Sequence, residues 1–298
     1  MGDYEVFLAR KGPAAVSCGI DVPDGDILHV QAFPFQRDIA RWALRKGRAG
    51  VFATTGMGKT LISLMWASCA AKRTLILAPL AVARQTVREG EKWGIPVVYA
   101  RSMRDSPSEG ITVSNYEMAE RFVPDAFGAV VLDESSILKS LAGKTRVLLT
   151  DMFADTPMRS CYTATPAPND IAELANHAEF LGIMTRAEML ASFFVHDDDG
   201  WRLKGHAREP YYRWLASWAM SLNMPSDLGY SNDGYILPPL TVDTVFVDCD
   251  YRPPGQLFVT SLKGVTERSR VRKATVVDRV EAAVEQARME PDRQWIFW

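Results

Sequence analysis

The stretch Ala53-Thr54-Thr55-Gly56-Met57-Gly58-Lys59-Thr60 decides how the rest of the chain is read. Gly56 and Gly58 permit backbone angles and close approaches that a Cβ would block, so the N–H groups of Thr55, Gly56, Met57 and Gly58 can curl around a polyphosphate. Lys59 sets a point charge against the outer phosphates, and the Thr60 hydroxyl is the expected Mg²⁺ ligand. The pattern G-x-x-x-x-G-K-[ST] is matched except that Ala53 stands where the first glycine is usual. The required context is also present. Ala49-Gly50-Val51-Phe52 reads as a strand before the loop, and Leu61, Leu64, Met65, Ala67 and Ala70 recur at helical spacing after it. The positive end of that helix dipole adds to the anion site. A ligand-free glycine turn between strand and helix is the competing account of the loop taken alone.

Outward from the loop, short apolar runs recur between helical patterns. Thr74-Leu75-Ile76-Leu77-Ala78 ends at Pro79; Val97-Val98-Tyr99 and Ile111-Thr112-Val113 repeat the signal; Ala129-Val130-Val131-Leu132 runs into Asp133-Glu134; Cys161-Tyr162-Thr163-Ala164 runs into Thr165-Pro166. Strands alternating with helices of this length predict an α/β fold, a parallel sheet flanked by helices with functional residues at the carboxyl ends of its strands. The pair at 133 and 134 suits a nucleotide site, with Asp133 holding Mg²⁺ and Glu134 orienting the attacking water. An ordinary strand end that begins a loop is the alternative. Gln36, at the head of the helical segment PFQRDIARWAL (34–44), can make a two-way amide hydrogen bond to an adenine edge, or be a solvated surface residue.

Composition bounds the remaining classes. A chain of 298 residues with 47% hydrophobic content is globular and long enough for one large or two medium domains. Its net charge of -2 gives no global basic signal, so nucleic acid would have to be met by a local groove. The four cysteines, Cys18, Cys69, Cys161 and Cys249, are scattered without a C-x-x-C pair, which reads as reduced packing thiols in a cytoplasmic protein. No secretory segment opens the sequence, and the most apolar stretch is broken by Lys59, so neither export nor a membrane partner is expected.

The order Gln36, TTGMGKT (54–60), LAPLAVARQ (77–85), SNYE (114–117), VVLDESS (130–136) and TATPAPND (163–170) resembles the first motor lobe of superfamily 2 helicases. The Snf-type translocases, particularly their phage and prophage relatives, are the branch it is most similar to. The resemblance implies a RecA-like lobe over 31–170 that binds ATP and Mg²⁺, after an N-terminal arm over 1–30. Gln36 is then the adenine-reading residue, and Lys59 and Thr60 the phosphate and Mg²⁺ ligands. Pro79, within LAPLAV, and Asn115 and Tyr116, within SNYE, fall in segments that follow a nucleic-acid backbone, while Thr163 and Thr165 fall in the motif linking nucleotide state to that surface. One departure is Asp133-Glu134-Ser135-Ser136, where Ser136 replaces the His or Asp that relays to the other motor lobe.

The same resemblance makes 171–240 a helical protrusion and linker ending in Ile236-Leu237-Pro238-Pro239-Leu240, and 241–298 the incomplete start of a second α/β lobe. Within these segments Tyr211, Trp214, Leu215, Trp218, Ala219 and Leu222 recur at helical spacing, and core packing accounts for that aromatic face better than base stacking does. Lys204, His206, Arg208 and Arg213 beside it read as a solvated face. Thr244–Val247 and Gln294–Trp298 read as strands, and 273–289 as a helix with Val276, Val280, Val284 and Ala287 on one face. A second lobe, in cis beyond Trp298 or in trans, would be the partner supplying an arginine finger, a group worth ~10³ to 10⁵ in rate. Without it the expectation is weak ATP binding and slow hydrolysis. The leading expectation is an ATP-dependent translocase or helicase on DNA rather than RNA, in the cytoplasm of a host cell if phage-encoded; the rival is a nucleotide-dependent binding module with little turnover.

Overall fold

The computed structural model describes residues 14–23, 31–139, 143–197, 200–248 and 265–297. It divides into two units, Met1–Ile236 and Leu237–Trp298. The elements of the first unit are α1 (Pro34–Lys46), β1 (Arg48–Ala53), α2 (Lys59–Ala70), β2 (Arg73–Ala78), α3 (Leu80–Trp93), β3 (Val97–Tyr99), β4 (Gly110–Asn115), β5 (Ala129–Asp133), α4 (Lys144–Met152), β6 (Met158–Thr163), α5 (Leu174–Phe180), α6 (Arg186–Phe193), β7 (Phe194–Asp197), β8 (Gly200–Leu203), α7 (Arg208–Ala216) and β9 (Ala219–Leu222).

Seven strands form one sheet in the order β3-β4-β2-β5-β6-β1-β9, and every pairing in it is parallel. This is a RecA-like sheet flanked by helices. Central strands of such a sheet are covered on both faces, which is why they read as continuous apolar runs. Alternate residues serve two cores. Val51, Ile76 and Val131 pack into one with α1 and α2, while Phe52, Leu75, Leu77, Val130 and Leu132 pack into the other. Helix α2 is apolar on all sides because it is enclosed, with Ile62, Leu64, Met65 and Trp66 fully buried. Ile62, Leu64 and Met65 each contribute ~1.5–3 kcal/mol by leaving water.

The sheet does not end where the sequence places the end of the lobe, near Asp170. Its last strand, β9, pairs in register with β1, Gly50 opposite Ala219 and Ala53 opposite Leu222. The aromatic segment read as one helical face is therefore split, with α7 ending at Ala216 and Ala219–Leu222 extended. Pairing with β1 overrides a helical period that the spacing of large residues only imitates. The packing account of that segment holds, since Tyr211, Trp214 and Trp218 are buried and in ring contact with Phe193, Phe194 and Phe52. Within the segment expected to be a helical protrusion, α6 stops at Phe193 and the chain turns into the antiparallel hairpin β7–β8. Lys204 donates to the Ala191 carbonyl at 2.7 Å, and Arg213 pairs with Glu209 on its own helix.

In the second unit, α8 (Val265–Ala274) leads into α9 (Val276–Met289), and Thr275 Oγ1 donates back to the Val271 carbonyl at 2.9 Å. Residues 244–247 and 294–297 are not strands; Trp298 lies outside the described residues. A strand exists only as a member of a ladder, and neither segment has one among the described residues. These segments and α9 line an apolar groove of about 430 Å³. No helix among the described residues is long and apolar enough to cross a membrane. Cys249 also lies outside the described residues.

Candidate functional site

The site lies at the carboxyl edge of the sheet. Because all seven strands are parallel and only β6 separates β1 from β5, the loop after β1 and the carboxylates ending β5 emerge side by side. The loop is held at its start by β9, with Thr54 N donating to the Leu222 carbonyl at 3.0 Å and Thr54 Oγ1 to the Asn223 carbonyl at 2.8 Å. Gly58, in the left-handed region at φ 78°, then caps α2. Helix N-terminal N–H groups have no intrahelical partner, so α2 presents an anion-binding end.

Gln36 fastens this loop from outside. It is only 4% exposed. Its Nε2 donates to the Met57 carbonyl at 3.1 Å, and its Oε1 accepts the Phe33 N–H at 3.0 Å, so the side chain also caps its own helix. One amide proton and one carbonyl lone pair remain on the Gln36 side chain. A Cβ on Gly58 would lie 2.2 Å from Gln36 Nε2, so the close approach itself requires glycine. Met57 can reach the cleft only through its backbone N–H. Its side chain is 1% exposed and packs in the core, and its carbonyl serves Gln36.

Lys59 folds back on the loop, with Nζ donating to the carbonyls of Ala53 at 2.9 Å and Thr54 at 3.2 Å. Burial lowers its pKa, opposed by the charges of Glu134 and Asp133. Asp133 is 3% exposed. Burial, then the neighbouring Glu134 charge, push its carboxyl up to about 6 against the pull of the Glu134 N–H and Lys59. Glu134 N donates to Asp133 Oδ1 at 3.0 Å. Among the described residues, Glu134 is the one non-glycine with positive φ, at 51°. Backbone of this kind is found where surrounding contacts over-determine it, often at functional sites.

Gln36, Thr55, Gly56, Gly58, Lys59, Thr60, Asp133 and Glu134 all line one cleft of about 400 Å³. The residues expected to follow nucleic acid are placed differently. The Tyr116 ring is buried and its hydroxyl donates to the Asp133 carbonyl at 2.7 Å. Asn115 is buried too, accepting from the Tyr99 hydroxyl at 3.1 Å and donating to Glu117. Thr163 is buried and its Oγ1 accepts the Thr165 N–H at 3.1 Å. These side chains are spent inside the fold, because each sits at the end of a buried strand and finds its partner on another strand or on the loop just beyond. Thr165 is exposed and Pro79 half-buried at the head of α3.

Other residues enter the cleft without having been singled out. Val82, Gln85, Glu89, Lys92 and Trp93 supply a wall from α3, with Trp93 Nε1 donating to Glu89 Oε2 at 3.0 Å. Their spacing places them on one helical face, the only signal that could have found them. Phe33, 55% exposed, stands beside Gln36 with its ring 5.9 Å from that of Tyr235 in an edge-to-face contact.

No family model and no curated protein matches the chain. Solved structures do. The SWI2/SNF2 ATPase core of Sulfolobus solfataricus, solved in complex with dsDNA, matches with a TM-score of 0.57 and 18% identity, over 67% of this chain and 46% of that one. The UvsW helicase of bacteriophage T4 matches with a TM-score of 0.41 and 14% identity over 61% and 65%, and the Hef helicase domain of Pyrococcus furiosus with 0.41 and 19% over 51% and 37%. The Sulfolobus likeness bears out the RecA-like fold, and the chain spans just under half of that protein's length.

Proposed function

We propose that the chain is the ATP-binding lobe of a nucleic-acid motor, of the Snf-type branch of superfamily 2 and its phage relatives, in which ATP hydrolysis drives movement along duplex DNA. The observation that carries this is the convergence of Gln36, Lys59, Thr60, Asp133 and Glu134 on one cleft at the carboxyl edge of a parallel sheet. The likeness in fold to an ATPase core solved with dsDNA supports duplex DNA as the track. No arrangement for reading bases is needed, since a motor that grips phosphates moves without regard to sequence.

The donor set fits Mg²⁺. The Thr60 hydroxyl and the Asp133 carboxylate are hard oxygens, and a buried carboxyl pushed upward beside Glu134 is a placement that a cation relieves. Bound there with nucleotide, the ion would neutralise charge on the phosphate oxygens. On this reading Lys59 exchanges the Ala53 and Thr54 carbonyls for the outer phosphates, Gln36 offers its remaining donor and acceptor to the base, and Glu134 orients the attacking water. Tyr116 and Thr163 act from inside the fold, tying the carboxylate strand and the loop after β6 to their neighbours. Pro79 and Thr165 are left at the face toward the strand.

Phosphate release by the chain and its Lys59→Ala variant, with and without duplex DNA or RNA, tests the proposal. Duplex DNA should raise the wild-type rate while Lys59→Ala stays at background. Equal, DNA-insensitive rates would sink the motor reading. ATP that alters DNA affinity without phosphate release would favour a nucleotide-dependent binding module.

A further inference from the structure

The strained backbone of Glu134 is pinned from several sides. The Tyr116 hydroxyl holds the Asp133 carbonyl at 2.7 Å, and Asp133 Oδ1 accepts the Glu134 N–H. The next residue is pinned from a distant element. Ser135 Oγ lies 3.1 Å from His177 Nε2, and both residues are fully buried. Beside His177 on α5, Asn176 Nδ2 donates to the Leu138 carbonyl at 2.8 Å, at the other end of the single 3-10 turn Ser135–Lys139. Two adjacent side chains of α5 therefore clamp the turn that follows Glu134. The imidazole stands edge-on to Phe52 at 5.3 Å between ring centroids, and burial pushes its pKa down to about 4, so the ring is neutral and makes a directional hydrogen bond. An apolar side chain would fill such a slot at no cost in desolvation, whereas buried polar groups need partners.

We propose that His177 is a positioning residue for ATP hydrolysis: through Ser135 it fixes the turn that aims the Glu134 carboxylate at the attacking water. This rests on the role of Glu134 proposed above. Helix α5 is itself preceded by Glu173, which accepts from Asn169 Nδ2 at 2.8 Å, so one short helix holds both the turn after β5 and the loop after β6. A holder of this kind alters the geometry of the water-orienting group, while the phosphate loop has its own fastening through Gln36 and β9.

The test uses the whole chain with duplex DNA and four variants: Ser135→Ala, His177→Leu, His177→Gln and the double Ser135→Ala/His177→Leu. Steady-state kcat and KM are measured beside the affinity for a fluorescent ATP analogue and the thermal midpoint. His177→Leu should lower kcat by on the order of 10²-fold, the cost of misplacing a reacting group by about an ångström, with analogue affinity unchanged. His177→Gln, which keeps an amide near the Nε2 position able to donate to or accept from the Ser135 hydroxyl, should recover part of it. The double variant should be no slower than the slower single one, because both remove the same link. Losses that multiply, unchanged kcat in Ser135→Ala, or kcat and analogue affinity falling together with the midpoint would each overturn the proposal. A wild-type chain that binds the analogue and never turns ATP over would overturn the motor reading and this role with it; an active wild type with an equally active His177→Leu would overturn this role alone.

Discussion

Gly58→Ala should damage the protein far more than Gly56→Ala, although both glycines have positive φ, at 78° and 88°. An L-residue in the left-handed region costs ~1–2 kcal/mol, and that cost is common to both positions. The surroundings differ. A Cβ at Gly56 meets nothing within 4 Å, whereas one at Gly58 lies 2.2 Å from Gln36 Nε2 and 3.3 Å from its Cδ. Gln36 would have to swing away, giving up its bonds to Met57 and Phe33 at a site only 4% exposed. Leaving a buried polar group unmet costs ~1–3 kcal/mol, which brings Gly58→Ala to about 2–5 kcal/mol against about 1–2 kcal/mol for Gly56→Ala. The reduced freedom of the unfolded chain is the same in both and cancels. Equilibrium urea unfolding, followed through the buried Trp66 and Trp218, measures the difference. Combining Gly58→Ala with Gln36→Ala should then cost less than the sum of the two, because the clash has lost its partner. Equal losses in the two glycine variants, or strict additivity with Gln36→Ala, would refute the account of why this loop needs glycine here.

Three further outcomes are expected. Tyr116→Phe removes the donor to the buried Asp133 carbonyl and should lower stability by ~1–3 kcal/mol in urea unfolding; a variant as stable as wild type would remove that bond from the support of the site. Glu134→Gln should keep affinity for an ATP analogue and lose ~10²–10⁴-fold in phosphate release, and loss of binding in parallel would point away from a water-orienting role. His177 introduces a pH dependence. Its folded pKa of about 4 lies below the ordinary 6.5, so between those values the unfolded chain binds the extra proton and stability falls as pH falls. The loss is about 3 kcal/mol across the window and should be absent from His177→Gln. Unfolding free energies for both proteins above and below the window check it, and parallel pH profiles would contradict it.

Most of the residues that line the candidate cleft were legible in the residue order. The glycines, Lys59 and Thr60 act through backbone angles and local charge, and the strands before the loop and before Asp133 are continuous apolar runs because both their faces are covered. The seventh strand was hidden. Ala219–Leu222 sits in a stretch whose large aromatics recur at helical spacing, and only β1 draws it straight. Thr244–Val247 reads as a strand and has no ladder among the described residues, in keeping with β-propensity as a description of a surface to be packed more than a backbone preference. The inward turn of Asn115, Tyr116 and Thr163 was equally out of reach, since their partners lie on other strands or on the loop beyond.

Residue types and their periods determined by themselves that this chain carries a glycine-rich loop between strand and helix, a carboxylate pair at a strand end and an alternation that folds as a parallel sheet. Those properties are local, set by backbone sterics and by which faces must leave water. Tertiary structure alone decided that Gln36 fastens Met57, that Tyr116 holds Asp133, that His177 reaches Ser135 and that β9 flanks the loop. Each of these contacts joins residues far apart along the chain. A directional bond or a ladder register between such residues depends on where the sheet brings them, which no window of sequence contains.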